Sequence, residues 1–236
     1  VVNKGFEISA NYNRKIGAMK LSIGGMFSQF SNKIIEQAEV PPVNDYTKTT
    51  GRPVGALMGL IADGFYDVTD FDVNGSLKAG MATPSFGAVQ PGDLKYKDLD
   101  NNGRVDQNDV TNIGTADYPS RTYSFNMVLE YKGFDFSAVV QGMGGNDINI
   151  LSASNLQSVA FVNNTNVFPL AGNAWAYYPS QGIDTRSSAN YPRLTLLAND
   201  NNYRSSSFWM KKNAFTRVRN MEIGYRFSSS SLKRLK

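Results

Sequence analysis

Residues 98 to 109 read Asp-Leu-Asp-Asn-Asn-Gly-Arg-Val-Asp-Gln-Asn-Asp, which follows the twelve-residue calcium loop place by place. Asp98, Asp100 and Asn102 occupy the first, third and fifth places, and Gly103 stands where the backbone must turn sharply. Arg104 would offer its carbonyl, Val105 would anchor the loop, Asp106 would bind through a water, and Asp109 would close the site. At about 5 Å and an effective dielectric near 20, two carboxylates repel by roughly 3 kcal/mol, a cost that a divalent cation turns into attraction. Calcium in a structural role is the expected occupant. Aspartate at the last place is shorter than the usual glutamate, so Mg²⁺ is a competitor. The alternative is an Asx-rich turn that binds nothing.

Little other chemistry is available. Cysteine and histidine are absent, which excludes disulfides, thiolate nucleophiles, histidine-based zinc or haem sites and serine–histidine dyads. Carboxylate pairs remain, but surface Asp and Glu are too common to argue for a glycosidase, and no enzyme is expected. The net charge of +4 is small and mostly dispersed, so no nucleic-acid partner is expected. Between Arg204 and Lys236 the basic residues Arg204, Lys211, Lys212, Arg217, Arg219, Arg226, Lys233, Arg234 and Lys236 face only Glu222. Such a stretch suits a solvated basic edge, with lipid head groups or a charged lumen as alternatives.

The elements that carry the loop are strands. Phe6, Ile8, Ala10 and Tyr12 alternate with Glu7, Ser9, Asn11 and Asn13, and after Arg14 to Gly17 the residues Met19, Leu21, Ile23 and Phe27 continue the pattern. A second hairpin has Phe125, Met127, Leu129 and Tyr131, a tight Lys132-Gly133 connection, then Phe134, Phe136, Ala138 and Val140. A last strand carries Met221, Ile223, Tyr225 and Phe227, but Arg217 and Arg219 fall in its apolar register, which calls for a bulge near Arg219. Asp63-Gly64-Phe65-Tyr66 reads as a turn into an aromatic strand, and residues 41 to 55, with their Pro, Gly and Thr, as an irregular loop. No helix-like pattern flanks the calcium loop, so it is not half of an EF-hand pair.

The connections alternate in length: short at 14 to 17, long from about 31 to 119, short at 132 to 133, long from 144 to 213. An up-and-down membrane barrel has that parity, with short periplasmic turns and long extracellular loops. No apolar run reaches the roughly 18 to 20 residues of a membrane helix, whereas barrel strands need only about 9 to 11 alternating residues. The second long segment carries Trp175, Tyr177, Tyr178, Tyr191 and Trp209, either as ligand contacts or as anchors that hold the segment down. A secreted calcium-binding β-sandwich for adhesion or glycan binding is the rival architecture. Val1 to Gly5 enters a strand pattern directly, without the n-region and h-region of a signal peptide, as expected of a chain that begins in mid-structure.

Pro91-Gly92-Asp93-Leu94-Lys95-Tyr96-Lys97-Asp98, continuing through Gly103 and Asp106 to Ile113-Gly114, resembles the signature stretch of SusC/RagA-like TonB-linked outer-membrane proteins of Bacteroidetes-type bacteria. So do Glu130 to Phe136, Gln141-Gly142 with Gly144 to Asp147, Asn3 to Glu7, Asp63 to Phe65, Tyr191 to Leu194, Ser207 to Trp209 and Arg219 to Tyr225. These run in order along nearly the whole chain, over the single segment 1 to 236. The resemblance implies an all-β fold, part of the C-terminal half of a transmembrane barrel of about 22 antiparallel strands whose plug domain lies elsewhere. It further implies active import of glycans or peptides across the outer membrane, with a SusD-like surface lipoprotein as partner and the TonB-ExbB-ExbD complex as energy source.

Overall fold

The computed structural model describes residues 1–151, 160–161, 166–197 and 199–227. Five long strands, β1 (Val2–Ile16), β2 (Met19–Lys33), β3 (Arg121–Tyr131), β4 (Phe134–Gly144) and β5 (Phe215–Tyr225), form one antiparallel sheet in chain order. Each strand pairs with its sequence neighbour, so the sheet is a meander. The tight turns Gly17-Ala18 and Lys132-Gly133 lie at one end and two long insertions leave from the other. Lys132 and Gly133 both take positive φ (47° and 89°), the combination a two-residue type I′ turn requires. Among the described residues there is no α-helix, only short strands and 3₁₀ turns inside the insertions.

Cross-strand register sorts the side chains into two faces. One row runs Tyr12, Ile23, Met127, Ala138 and Met221; another on the same face runs Ile8, Phe27, Tyr123 and Gly142. The opposite face carries Asn11, Asn126, Glu130, Asp135, Gln141 and Glu222. The break in β5 lies where the arginines demanded it: Val139 pairs with Asn220 and Val140 with Val218, leaving Arg219 as the extra residue. The bulge turns Val218 to the apolar face and Arg217 to the polar one, and Arg219 donates to Gln141 Oε1 at 3.3 Å. Without it both cations would project among apolar side chains.

The apolar face is uncovered. Ile8 is 60% exposed, Met221 65% and Ile223 77%. Among the described residues, the buried apolar side chains instead belong to the insertions. Leu60, Leu94, Tyr96, Val105, Tyr191 and Trp209 form the main cluster, with Tyr66, Phe71 and Val89 in a smaller one. A β-sandwich keeps its core between sheets. Here the core lies beyond the end of the sheet, and a lone sheet with one large bare apolar face is at odds with that rival.

Two local readings shift. Ala62–Phe65 is itself a short strand, paired irregularly with Leu94–Tyr96, so the strand precedes Tyr66 rather than following a turn. The basic stretch after Arg204 is not one edge: Lys212 pairs with Asp147 at 2.9 Å, Arg204 lies over Phe86, and Arg217 and Arg219 join the polar sheet face. Lys233, Arg234 and Lys236 lie outside the described residues.

Met127→Lys places a charge in the middle row of the apolar face and is expected to cost about 2–4 kcal/mol if that face meets lipid. Ser124→Lys, on the polar face, is expected to be tolerated. Heat-modifiable electrophoretic mobility of the full-length protein in the outer-membrane fraction separates the two, and equal behaviour would refute the assignment of faces.

Candidate functional site

Backbone bonds organise the 98–109 loop before any ligand is considered. Gly103 takes φ +82°, the left-handed turn its position calls for, and Asn101 is also left-handed at +56°. Asp98 accepts from Gly103 N at 2.8 Å and Asn102 N at 3.2 Å, while Asn102 Oδ1 accepts from Arg104 N at 2.8 Å. Asp109 is fully buried; its Oδ1 accepts from Leu99 N at 2.6 Å and its Oδ2 from Asp106 N at 2.8 Å, tying the loop's two ends together. Residues Gln107–Asp109 form a 3₁₀ turn, which Asp106 caps by accepting from Asn108 N. Extended Leu94–Tyr96 precedes the loop and the strand Thr111–Gly114 follows it, so no helix flanks it.

The carboxylates of Asp98, Asp100 and Asp109 converge, each offering an oxygen within 4.8 Å of the others. Asp106 is not in that group; its Oδ1 accepts from Asn108 N as the cap of the turn. Asn102 turns its oxygen to the loop backbone and its amide to Asp100 Oδ2 at 3.0 Å. Arg104 reaches Ser85 Oγ at 3.2 Å and, with Val105, pairs in parallel with Thr83–Pro84. Partial desolvation, then repulsion from Asp109 and Asp98, raises the Asp100 carboxyl above its ordinary range. Tyr46, distant in sequence, has a buried hydroxyl without a hydrogen-bond partner, and desolvation with the field of Asp100, Asp109, Asp98 and Asp106 raises its pKa. The turn Asp45–Thr47 is held there by Thr111 Oγ1 donating to the Tyr46 carbonyl at 3.0 Å. Nothing in the local sequence of Tyr46 marks it; only the fold brings it to the loop.

The loop's approach is fixed by Asp93, which is wholly buried. Its Oδ1 accepts from Arg193 Nε at 2.7 Å and from the amides of Asn199 and Asn202 at 2.9 Å, and its Oδ2 from Gln90 N at 2.8 Å. Asn202 in turn accepts from Leu94 N at 2.8 Å, and Trp209 Nε1 donates to the Asn202 carbonyl at 2.7 Å. A Cβ on Gly92 would lie 2.5 Å from Trp175, so close packing requires glycine, as does its φ of +89°. Pro91 to Leu94, Tyr191 to Leu194 and Ser207 to Trp209, far apart in the chain, therefore meet in one place. Trp175, Tyr191 and Trp209 are buried anchors of the second insertion, whereas Tyr178 is 55% exposed.

No protein-family model matches the chain. A curated relative, TonB-dependent receptor P3 of Formosa agariphila, is 27% identical over 244 residues, covering 98% of this chain and 22% of that protein. The structure of the RagAB peptide transporter superposes with a TM-score of 0.60 at 13% identity, covering 97% of this chain and 23% of that one. The RagAB peptide importer in its open-open state gives 0.61 at 14%, with 98% and 23% covered. The chain is similar to part of a TonB-dependent receptor. It spans under a quarter of the length of the proteins it matches, and its all-β meander has the fold of the corresponding part of a RagA barrel. The SusC/RagA-like relatives are a receptor and a transporter rather than enzymes.

Asp109→Ala removes the acceptor of two amides at once, a loss of about 1–3 kcal/mol for each buried donor left unpaired. Hydrogen exchange at Leu99 and Asp106 is expected to accelerate together while the β3–β4 hairpin keeps its protection. Unchanged exchange at both amides would show that Asp109 does not close the loop.

Proposed function

We propose that this chain is part of the barrel wall of an outer-membrane importer that takes up glycans or peptides, works with a SusD-like surface lipoprotein, and draws energy from the TonB-ExbB-ExbD complex. The observation that carries the proposal is the sheet itself: a meander bare and apolar on one face, polar on the other, with its dry core displaced into insertions at one end. In lipid the only satisfied sheet is one whose backbone bonds are all made sideways to neighbouring strands. The apolar face then meets the bilayer and the polar face, with Glu7, Asn126, Glu130, Asp135 and Gln141, lines the lumen. From Tyr123 to Tyr131 strand β3 rises about 26 Å, or about 20 Å across a membrane when tilted by about 40°, close to the band of about 25 Å that such barrels present. Aromatic rings mark its turn end: Phe134 and Tyr225 lie 4.5 Å apart, and Tyr225 and Phe227 4.9 Å. In this placement the tight turns are periplasmic and both insertions extracellular, where a surface lipoprotein would dock. Similarity to a TonB-dependent receptor and to RagAB supports the assignment.

The 98–109 loop is assigned a structural calcium ion. The convergence of Asp98, Asp100 and Asp109 supports it, as does the buried, unpartnered Tyr46 hydroxyl beside them. Asn102, the Arg104 carbonyl and Asp106 through water would complete the set. The ion supplies charge neutralisation; the protein residues supply the turn and the closure at Asp109. Calcium near 1 mM outside the cell fills even a modest site of this kind.

Removal of the full-length protein is expected to abolish growth on its cargo, inactivation of the TonB complex to reproduce that loss, and affinity purification to bring a surface lipoprotein with it. A full-length protein that is soluble and monomeric without detergent would overturn the transporter assignment. For the metal, chelation is expected to lower the thermal midpoint of the purified protein and added calcium to restore it. Asp98→Ala combined with Asp100→Ala should weaken calcium binding at least about tenfold by calorimetry, about 1.4 kcal/mol. Equal calcium uptake by wild type and double variant would exclude the loop as the site.

A further inference from the structure

A cavity of about 600 Å³ opens where the two insertions meet, walled by Met58, Leu60 and Phe86 from the first and by Asp200, Tyr203 and Arg204 from the second. Gln107 and Val110, at the closing turn of the 98–109 loop, also line it. Its aromatic surfaces are already in use. The Arg204 guanidinium lies 3.7 Å over the Phe86 ring, and Tyr203 packs against Trp209 with centroids 6.0 Å apart. No bare ring is left among these residues on which an apolar ligand could stack.

Charge is what the cavity leaves unused. Arg204 makes no hydrogen bond or ion pair among the described residues, and its Nε is buried without an acceptor. Contact with the Phe86 ring holds the guanidinium against the cavity wall, and a guanidinium is a planar fork suited to a carboxylate. Asp200 is exposed, lines the same cavity and likewise has no partner, and it does not pair with Arg204. Two opposite charges facing one cavity without neutralising each other match a ligand that brings both complements.

We propose that this cavity binds a small zwitterion of the α-amino-acid or short-peptide type, its carboxylate on Arg204 and its ammonium on Asp200. The site goes beyond the transport function assigned above. It lies among the insertions rather than on the polar face of the sheet, and it does not require the calcium ion. Ligand bound there would bridge the two insertions through one charge on Arg204, one on Asp200 and the shared wall of Phe86 and Gln107.

Calorimetry on the full-length protein in detergent, in saturating calcium and again in chelator, tests this with three probes: dialanine, N-acetyl-dialanine and dialanine amide. Dialanine is expected to bind, and blocking either terminus to weaken binding at least about tenfold. Arg204→Gln is expected to erase the preference for dialanine over its amide while keeping the preference over the N-acetyl form. Asp200→Asn, at an exposed position that burdens folding little, is expected to do the reverse. Absence of dialanine binding to wild type, equal binding of the three probes, or an Asp200→Asn protein that still discriminates against N-acetyl-dialanine would each overturn the proposal. Binding that persists in chelator separates this site from the metal assignment, and a protein that binds dialanine without transporting it separates it from the transport assignment.

Discussion

A strand repeats every two residues, and in this sheet the repeat is used to keep the middle of one face apolar with nothing laid over it, while Lys4, Arg14, Gln29 and Arg121 fall toward its ends. In water that arrangement is unfavourable, because large apolar side chains such as Ile8, Met221 and Ile223 stay exposed. Most of the other features are consequences. Charged groups near the middle of the sheet must fall on the opposite face, so β5 absorbs Arg217 and Arg219 by inserting one residue where the register would have carried them into the apolar side. The dry core that stabilises a soluble domain has to be built elsewhere, and it is built in the insertions around Trp209, Tyr191, Leu94 and Tyr96. Backbone donors and acceptors within the sheet are satisfied only by neighbouring strands.

The insertions solve a different problem, that of ordering long connections with little regular structure. A buried carboxylate is costly unless fully bonded, and Asp93 meets that condition by taking five side-chain and backbone donors from two segments about a hundred residues apart in the chain. Breaking such a pair strands the remaining charge, at a typical cost of about 3–5 kcal/mol. Its position four residues before Lys97-Asp98 means that the hub also sets the entry to the acidic loop. Asp109 plays the matching part at the exit. The order of the first insertion thus rests on two buried aspartates, one joining it to the second insertion and one closing its own loop.

The sheet was readable in the sequence because both faces are regular: alternation located all five strands, and the two arginines out of register located the bulge. The turn geometry of the acidic loop was readable because its Asx residues are local and Gly103 stands where the backbone turns. Contacts that depend on distant segments were not. Asp93, Asn199 and Asn202 are ordinary loop residues in sequence, and no period or spacing links them. Tyr46 lies more than fifty residues before the aspartates it approaches. Arg204 read as one member of a basic run, whereas folding sends it to a ring and a cavity, and Lys212 to Asp147. Asp106 shows the limit from the other side: its place in the loop did not reveal that its side chain also caps the 3₁₀ turn.

The acidic loop and the cavity share a wall, and this orders their dependence. Gln107 lies in the turn capped by Asp106 and closed by Asp109, and Val110 follows it directly. Phe86 is fixed next to the loop because Ser85 N donates to the Val105 carbonyl at 2.9 Å and Ser85 Oγ accepts from Arg104. Both bonds, and both amides held by Asp109, are made by the protein alone. The cavity wall therefore stands on hydrogen bonds of the same loop in which Asp98, Asp100 and Asp109 converge. Desolvation, then repulsion from Asp109 and Asp98, raises the pKa of Asp100, and because Asp109 ends the turn that carries Gln107, the acidic cluster and the cavity wall meet in that turn.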